Sequence, residues 1–290
     1  MSAEAVIQTM RPQQWVKNVF VLAPLIFAHQ LVDLWALLMA ASAFAVFCAA
    51  SSSVYMINDV VDREFDRLHP TKRDRPVASG ALPVPRAIVV ALLLAAASVG
   101  GAWAVGVSFL AVVATYLLMN LAYSIQLKNV VILDVIVVAA GFLLRTWGGA
   151  LAIRVEMSRW LVLCTGLIAL FMGFVKRRQE IAALGANAEQ RPILREYSLP
   201  FLDQLIGIVT ASTVLAYSLY AMSDEVAEKL GTHWMGLTIP FVLFGIFRYL
   251  YLVHRRGQGA NPTTLVLSDG PLILNVLAWG ITVLLVLYVL

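Results

Sequence analysis

Residues 33–66 read DLWALLMAASAFAVFCAASSSVYMINDVVDREFD. From 34 to 57 no residue is charged; Asn58-Asp59-Val60-Val61-Asp62-Arg63-Glu64-Phe65-Asp66 then follows at once. At about 1.5 Å rise per residue, the uncharged part can cross a bilayer core of roughly 30 Å. Continued as a helix, it delivers an acidic and amide cluster to one membrane surface. Residues three and four apart share a helix face. Asn58, Asp62 and Asp66 are four apart, and Asp59 precedes Asp62 by three, so four oxygen-bearing groups are expected to converge on one volume. That much like charge is costly to assemble unless a cation joins it. Hard oxygen ligands that leave room for phosphates are what Mg²⁺ prefers.

Lys72, Arg73 and Arg75 come next. Arginine suits phosphate as a bidentate fork and lysine as a point charge. The two features together read as a site for a Mg²⁺–diphosphate compound.

Working outward, the chain has 290 residues, of which 61% are hydrophobic and 13% charged, against roughly 25% charged in a soluble domain. The apolar runs predict an all-α, polytopic membrane protein. About nine spans are expected, at 16–31, 33–57, 86–103, 106–124, 130–152, 159–177, 200–222, 235–253 and 271–290. The first is short and contains Pro24, which predicts a kinked or partly re-entrant segment. Asp269-Gly270-Pro271 reads as the N-terminal signal of the last span.

Lysine and arginine set the orientation. With the N-terminus inside, the inside face receives Arg11, Lys17, Arg63, Arg67, Lys72, Arg73, Arg75, Arg86, Lys128, Lys176, Arg177, Arg178, Arg191, Arg195, Arg255 and Arg256. The opposite face receives only Arg154, Arg159 and Lys229. The expected placement is therefore the plasma (inner) membrane, with the N-terminus and the acidic motif on the cytoplasmic side. No basic n-region precedes the first apolar run, so a cleavable signal peptide is not expected. Cys48 and Cys164 lie in separate spans and predict no disulfide. The pI near 9.2 restates the positive-inside bias, and no aromatic-interleaved basic domain points to nucleic acid. His29, His69, His233 and His254 lack metal-ligand spacing, and His69 before Pro70 reads as a loop-shaping residue. No linker divides the chain, so residues 1–290 read as one domain.

The motif Asn58-Asp59-x-x-Asp62-x-x-x-Asp66 resembles the first acidic motif of the UbiA superfamily of membrane prenyltransferases. Three further runs are similar to one branch of it, the decaprenyl-phosphate phosphoribosyltransferases. They are Arg11-Pro12-x-Gln14-Trp15-x-Lys17-Asn18, His69-Pro70-x-Lys72-Arg73-x-Arg75-Pro76 and Lys176-Arg177-Arg178-x-Glu180. The resemblance implies a helical bundle around a cavity open to the cytoplasm and laterally to lipid. It also implies transfer of 5-phosphoribose from phosphoribosyl diphosphate (PRPP) to a polyprenyl (decaprenyl) phosphate, with release of pyrophosphate. The product would feed decaprenylphosphoryl arabinose for cell-envelope arabinan. The alternative is a UbiA-type prenyltransferase with a prenyl diphosphate donor and an aromatic or lipid acceptor.

The chain departs from classical prenyltransferases after span six. Where those carry a second Asp-rich motif, it has Lys176-Arg177-Arg178-Gln179-Glu180. One acidic motif and one basic motif suit substrates richer in phosphate than in metal. Asp59, Asp62 and Asp66 are accordingly the expected catalytic carboxylates, and with Asn58 the expected Mg²⁺ ligands. Lys17, Asn58, Lys72, Arg73, Arg75, Tyr123, Lys128, Lys176, Arg177 and Arg178 are the expected substrate-binding residues. Lys176, Arg177 and Arg178 could hold either the 5-phosphate or the lipid phosphate, and as a basic run at an inside boundary they could equally be membrane anchors. Lys17 could simply snorkel. Asp134 and Arg145, eleven apart in one span, cannot pair directly and serve either the cavity or a neighbouring helix. A phosphate nucleophile needs no strong general base, so the lack of a catalytic histidine signal fits. Whether copies associate as a homo-oligomer is left open by the sequence. A transporter would place charge near the bilayer midplane; here the carboxylates gather at one face, which favours chemistry there.

Overall fold

The computed structural model describes residues 3–68, 72–184, 192–256, 265 and 268–290. His69, Pro70 and Arg191, which the sequence singled out, lie outside them. Among the described residues every regular element is helical. Two compact units form: Met1–Leu25 with Gln30–Met157 and Gln190–Ile193, and Ile26–His29 with Ser158–Glu189 and Leu194–Leu290.

The first unit opens with α1 (Ala3–Met10), a 3-10 helix over Pro12–Leu22, and the first three residues of α2 (Ala23–Phe27). It continues through α3 (Leu34–Val61), α4 (Arg63–Leu68), α5 (Pro76–Ser79), α6 (Val84–Val105), α7 (Val107–Ile125) and α8 (Leu133–Ala152). Asp33 caps α3, its carboxylate accepting from Trp35 N at 2.8 Å and Ala36 N at 3.4 Å, which satisfies amides that a helix start leaves unpaired. The inner face of α3 is lined by Ala36, Ala40, Ala43, Phe47 and Ala50, all buried. Against it α6 presents Ala87, Ala91, Ser98 and Ala102, and Ser53 Oγ donates to the Ala91 carbonyl at 2.8 Å. Small facing residues let backbones approach where lipid supplies no hydrophobic drive between helices. Larger rings fill the far side, with Phe47 edge-on to Phe109 at 5.9 Å and to Tyr116 at 5.5 Å. Only Gly106 separates α6 from α7; at φ 156° and ψ 157° it occupies a region open essentially to glycine.

The second unit holds α9 (Arg159–Leu184), α10 (Leu199–Ala221), α11 (Asp224–Leu230), α12 (Ile239–Arg256) and α13 (Gly270–Tyr288). Asp269 caps α13, accepting from Leu272 N at 3.0 Å, as its Asp-Gly-Pro signal predicts. The same carboxylate takes both forks of Arg248, at 2.9 and 3.1 Å, tying α12 to α13. Tyr217 Oη meets Thr238 Oγ1 at 2.7 Å and accepts from Trp279 Nε1 at 3.0 Å, which satisfies the polar atoms between three elements.

Among the described residues eight helices are long and apolar enough to cross a membrane: Leu34–Val61, Val84–Val105, Val107–Ile125, Leu133–Ala152, Arg159–Ala182, Leu199–Ala221, Trp234–His254 and Gly270–Tyr288. They match the last eight expected spans, and α3 and α9 run several residues further. The expected count of nine is not met by the stretch 16–31, which is no continuous α-helix. It is the 3-10 helix followed by five residues of α2. In a 3-10 helix residues three apart eclipse. Trp15, Asn18 and Val21 therefore form one row. Trp15 Nε1 donates to Ser52 Oγ at 3.0 Å, Asn18 Nδ2 reaches Ser51 Oγ and Cys48 Sγ at 3.3 Å, and Val21 is buried. Pairing with the polar edge of α3 accounts for the tighter winding. At about 2.0 Å rise per 3-10 residue and 1.5 Å per α residue, Pro12–Phe27 still extends roughly 30 Å.

Candidate active site

The acidic motif stands where α3 ends, at Asp62, and α4 begins. Asp62 N bonds to Asn58 O and Asp66 N to Asp62 O, both at 2.8 Å, so the four-residue register runs through the junction. The four groups are held by different partners. Asp59 and Asp66 turn to Arg75, whose Nη1 lies 2.6 Å from Asp66 Oδ2 and 3.2 Å from Asp59 Oδ1. Arg11 also pairs with Asp59 and lies over the Tyr55 ring at 5.2 Å. Lys128 Nζ meets Asp62 Oδ1 at 2.5 Å, and Ser124 Oγ donates to Asn58 Oδ1. The cause is burial. The side chains of Asp59 and Asp66 are 2% and 5% exposed, and a carboxylate so far from water needs a cation or donors.

Three elements supply those cations. Arg11 sits between α1 and the 3-10 helix with a left-handed backbone, φ 54° and ψ 61°. Arg75 opens α5, and α5 is held against α4 by Arg67 Nε donating to the Ala78 carbonyl at 3.0 Å. Lys128 lies in the 3-10 turn Leu127–Asn129 after α7. Just beyond, Ile132 adopts φ 67°, a costly conformation for a β-branched residue, and places Asp134 in the first turn of α8.

Of the expected binding residues in this unit, the structure brings Asn58, Arg75 and Lys128 together with the three aspartates. Lys17, Lys72 and Tyr123 are half-buried in the same unit. Arg73 is not drawn onto the carboxylates; it is 68% exposed and 4.0 Å from Asp74. Arg11 and Ser124 are contacts that sequence reasoning left out of the site. The signal for Arg11 was its place in the Arg-Pro-x-Gln-Trp run, whereas a single serine at a helix end carries none.

Arg145 lies midway along α8, buried, and makes three bonds to uncharged acceptors. Its Nε reaches Asn18 Oδ1 at 2.7 Å, Nη1 the Gly141 carbonyl at 2.8 Å and Nη2 Tyr116 Oη at 2.8 Å. The Tyr116 ring, 4.8 Å away, adds a cation–π contact. Arg145 thus pins α7 and the 3-10 helix to α8, which is the structural-partner reading of the two left open by the sequence.

In the second unit Lys176, Arg177 and Arg178 lie on the last turns of α9. Arg177 Nη1 is 2.5 Å from Glu180 Oε2, and Lys176 Nζ is 3.9 Å from Glu180 Oε1. Arg178 Nε is 2.5 Å from Asp203 Oδ1 on α10, which His254 of α12 also approaches at 3.5 Å. Asp203 and His254 stand at one end of an apolar cleft of about 590 Å³ between α10 and α12.

The donor set of the acidic motif fits Mg²⁺: three carboxylates and an amide oxygen within two helical turns, all hard ligands. The place between Asp59 and Asp66 already holds positive charge, the Arg75 guanidinium. Among the described residues no three acidic, histidine or cysteine side chains stand close enough to grip a metal as they are.

A buried carboxylate cluster at the end of a spanning helix, ringed by basic residues within an all-helical membrane fold, is the frame of a lipid-active transferase. The chain belongs to the UbiA prenyltransferase family, whose sequence profile matches residues 18–267. It is 34% identical to the decaprenyl-phosphate phosphoribosyltransferase of Corynebacterium glutamicum, over 99% of this chain and 88% of that one. It is 36% identical to the enzyme of the same name from Mycolicibacterium smegmatis, over 94% and 89% of the two chains. Among solved structures, a UbiA homologue from Archaeoglobus fulgidus bound to DMAPP and Mg²⁺ superposes with a TM-score of 0.74 at 18% identity, covering 98% of this chain and 99% of that one.

Proposed function

We infer that this chain is a membrane-embedded phosphoribosyltransferase. It transfers 5-phosphoribose from PRPP to decaprenyl or a similar polyprenyl phosphate and releases pyrophosphate. The observation that carries the reading is near full-length likeness to relatives of that name, at 34% and 36% identity. The acidic motif ringed by Arg11, Arg75 and Lys128 supports it.

Asp59, Asp62 and Asp66, with Asn58, would hold Mg²⁺, which would neutralise charge on the departing diphosphate. Arg75, Lys128, Lys17 and Lys72 bind phosphate oxygens directly, with Arg73 and Tyr123 at the margin. Lys176, Arg177 and Arg178 serve a second phosphate, that of C5 or of the lipid. The attacking group is a lipid phosphate oxygen, whose charge is close to −2 near neutral pH. It forms a bond to C1 of the ribose as the C1–diphosphate bond breaks, inverting C1. The protein removes no proton in this step; its residues orient two anions and offset their repulsion. The site faces the cytoplasm of the plasma membrane, where PRPP is available, and the product is a precursor for cell-envelope arabinan.

The test uses purified protein, polyprenyl phosphate, Mg²⁺ and ribose-labelled PRPP. Label is expected in a lipid-extractable product, and EDTA is expected to abolish it. Transfer from a prenyl diphosphate with no need for PRPP would replace this reading with the prenyltransferase one.

A further inference from the structure

The acidic motif is not waiting open. Every carboxylate in it is already engaged by a basic side chain from elsewhere in the chain: Asp59 by Arg11 and Arg75, Asp66 by Arg75, and Asp62 by Lys128. Arg75 Nη1 lies 2.6 and 3.2 Å from the two oxygens it bridges. A Mg²⁺ ion needs its ligands at about 2.0–2.1 Å, so the guanidinium and a metal ion cannot both occupy that place.

We propose that Arg75, with Arg11 and Lys128, locks the acidic motif against free divalent cations, so that metal enters only together with the diphosphate that receives these basic groups. The proposal rests on the Mg²⁺–PRPP reading above and adds the order in which the site assembles.

Exposure decides which partner moves. The Asp59 and Asp66 side chains are 2% and 5% exposed, whereas those of Arg75 and Arg11 are 29% and 27% exposed. The carboxylates are fixed by packing on α3 and α4. Arg75 and Arg11 reach them from the edge and can turn toward an anion on the open side; Lys128, 17% exposed against 29% for Asp62, is the more buried of its own pair. Metal arriving alone would have to eject Arg75 from two buried partners and leave it with none, a loss that buried pairs resist strongly. Diphosphate arriving alone would draw the basic groups away and leave the carboxylates uncompensated. Metal and diphosphate together exchange partners: carboxylates pass to the metal, and Arg75, Arg11 and Lys128 pass to phosphate oxygens, as charge-assisted bonds. Each ligand therefore tightens the other by the same factor.

The experiment is equilibrium dialysis of Mn²⁺ against purified full-length protein in detergent, without and with PRPP, corrected for Mn²⁺ held by PRPP alone. Polyprenyl phosphate is left out, so no turnover occurs. Wild type is expected to bind Mn²⁺ weakly alone and about tenfold or more tightly with PRPP. Arg75→Gln is expected to bind Mn²⁺ without PRPP at least about tenfold more tightly than wild type. Arg11→Gln, which frees one of the two partners of Asp59, is expected to gain less. Should Arg75→Gln fold poorly, Arg75→Met keeps the apolar stem, removes the charge that bridges Asp59 and Asp66 through Nη1, and is expected to shift in the same direction. Mg²⁺ alone should raise the melting temperature of the Arg75 variants and not that of wild type. Equal Mn²⁺ affinity in wild type and both Arg75 variants, with PRPP still recruiting Mn²⁺, would overturn the lock and leave the transferase reading standing. If PRPP recruits no Mn²⁺ and Asp62→Asn changes nothing, the metal–diphosphate site itself is wrong and the lock goes with it.

Discussion

The acidic motif makes its demands one side chain at a time. Among the described residues Asp66 pairs with Arg75 and Asp62 with Lys128, so each carboxylate can be removed without emptying the whole site. Asp62→Asn and Asp66→Asn keep size and hydrogen bonding but lose a negative charge. Each is expected to lower turnover by about 10²–10³, the range for removing one group that stabilises developing charge. Membrane insertion and the helical circular dichroism signal should stay intact; near-wild-type label transfer in both variants would remove the metal-site argument. Arg145 predicts the opposite pattern. It is bound to Asn18, Gly141 and Tyr116, and each such bond within a membrane averages about 0.6 kcal/mol. Arg145→Met is therefore expected to cost about 2 kcal/mol of unfolding free energy, read by denaturant titration in detergent, with the KM for PRPP little changed.

Between elements the tightest demand is the approach of the 3-10 helix to α8. A Cβ at Gly149 would run into the Val21 backbone carbonyl, which cannot give way as a side chain can. At Gly148 the added carbon would lie 2.7 Å from the Phe47 ring and 3.0 Å from Phe109. At Gly100, on α6, it would meet nothing within 4 Å. Gly149→Ala is expected to abolish stable expression or cost several kcal/mol, and Gly148→Ala to cost about 1–3 kcal/mol by overpacking. Gly100→Ala should be neutral or gain up to about 1 kcal/mol from helix propensity. Thermal unfolding of the three in one detergent ranks them, and an unaffected Gly149→Ala would contradict the close approach. Span lengths were legible because hydropathy is local. The 3-10 winding of Pro12–Leu22 was not, because it answers to Ser51, Ser52 and Arg145, far along the chain.

For the molecule as a whole, composition and charge asymmetry speak first. Leu92, Leu93, Leu118, Leu215 and Leu274 are each at least 60% exposed, a surface suited to lipid and not to water. From the lysine and arginine bias we propose that the acidic motif lies inside. A cysteine introduced at Asp74, which is 83% exposed on its side chain, should resist a membrane-impermeant thiol reagent in intact cells and react once they are permeabilised. A cysteine at exposed Glu228 in α11 should react from outside. Labelling with the reverse pattern would invert the topology and put the site on the wrong side for PRPP.

By itself, the sequence determined the membrane class, eight of the spans to within a few residues, the family resemblance and the identity of the acidic turn. Each is written in short-range pattern: uncharged runs of spanning length, four-residue spacing, and motifs a few residues long. Only the tertiary structure decided what those aspartates touch. Arg11 and Lys128 lie 48 and 66 residues from their partners Asp59 and Asp62, and no periodicity links such positions. It also decided that the four oxygen groups take different partners: burial makes Asp59 and Asp66 seek a nearby cation, and which cation is near is a property of packing.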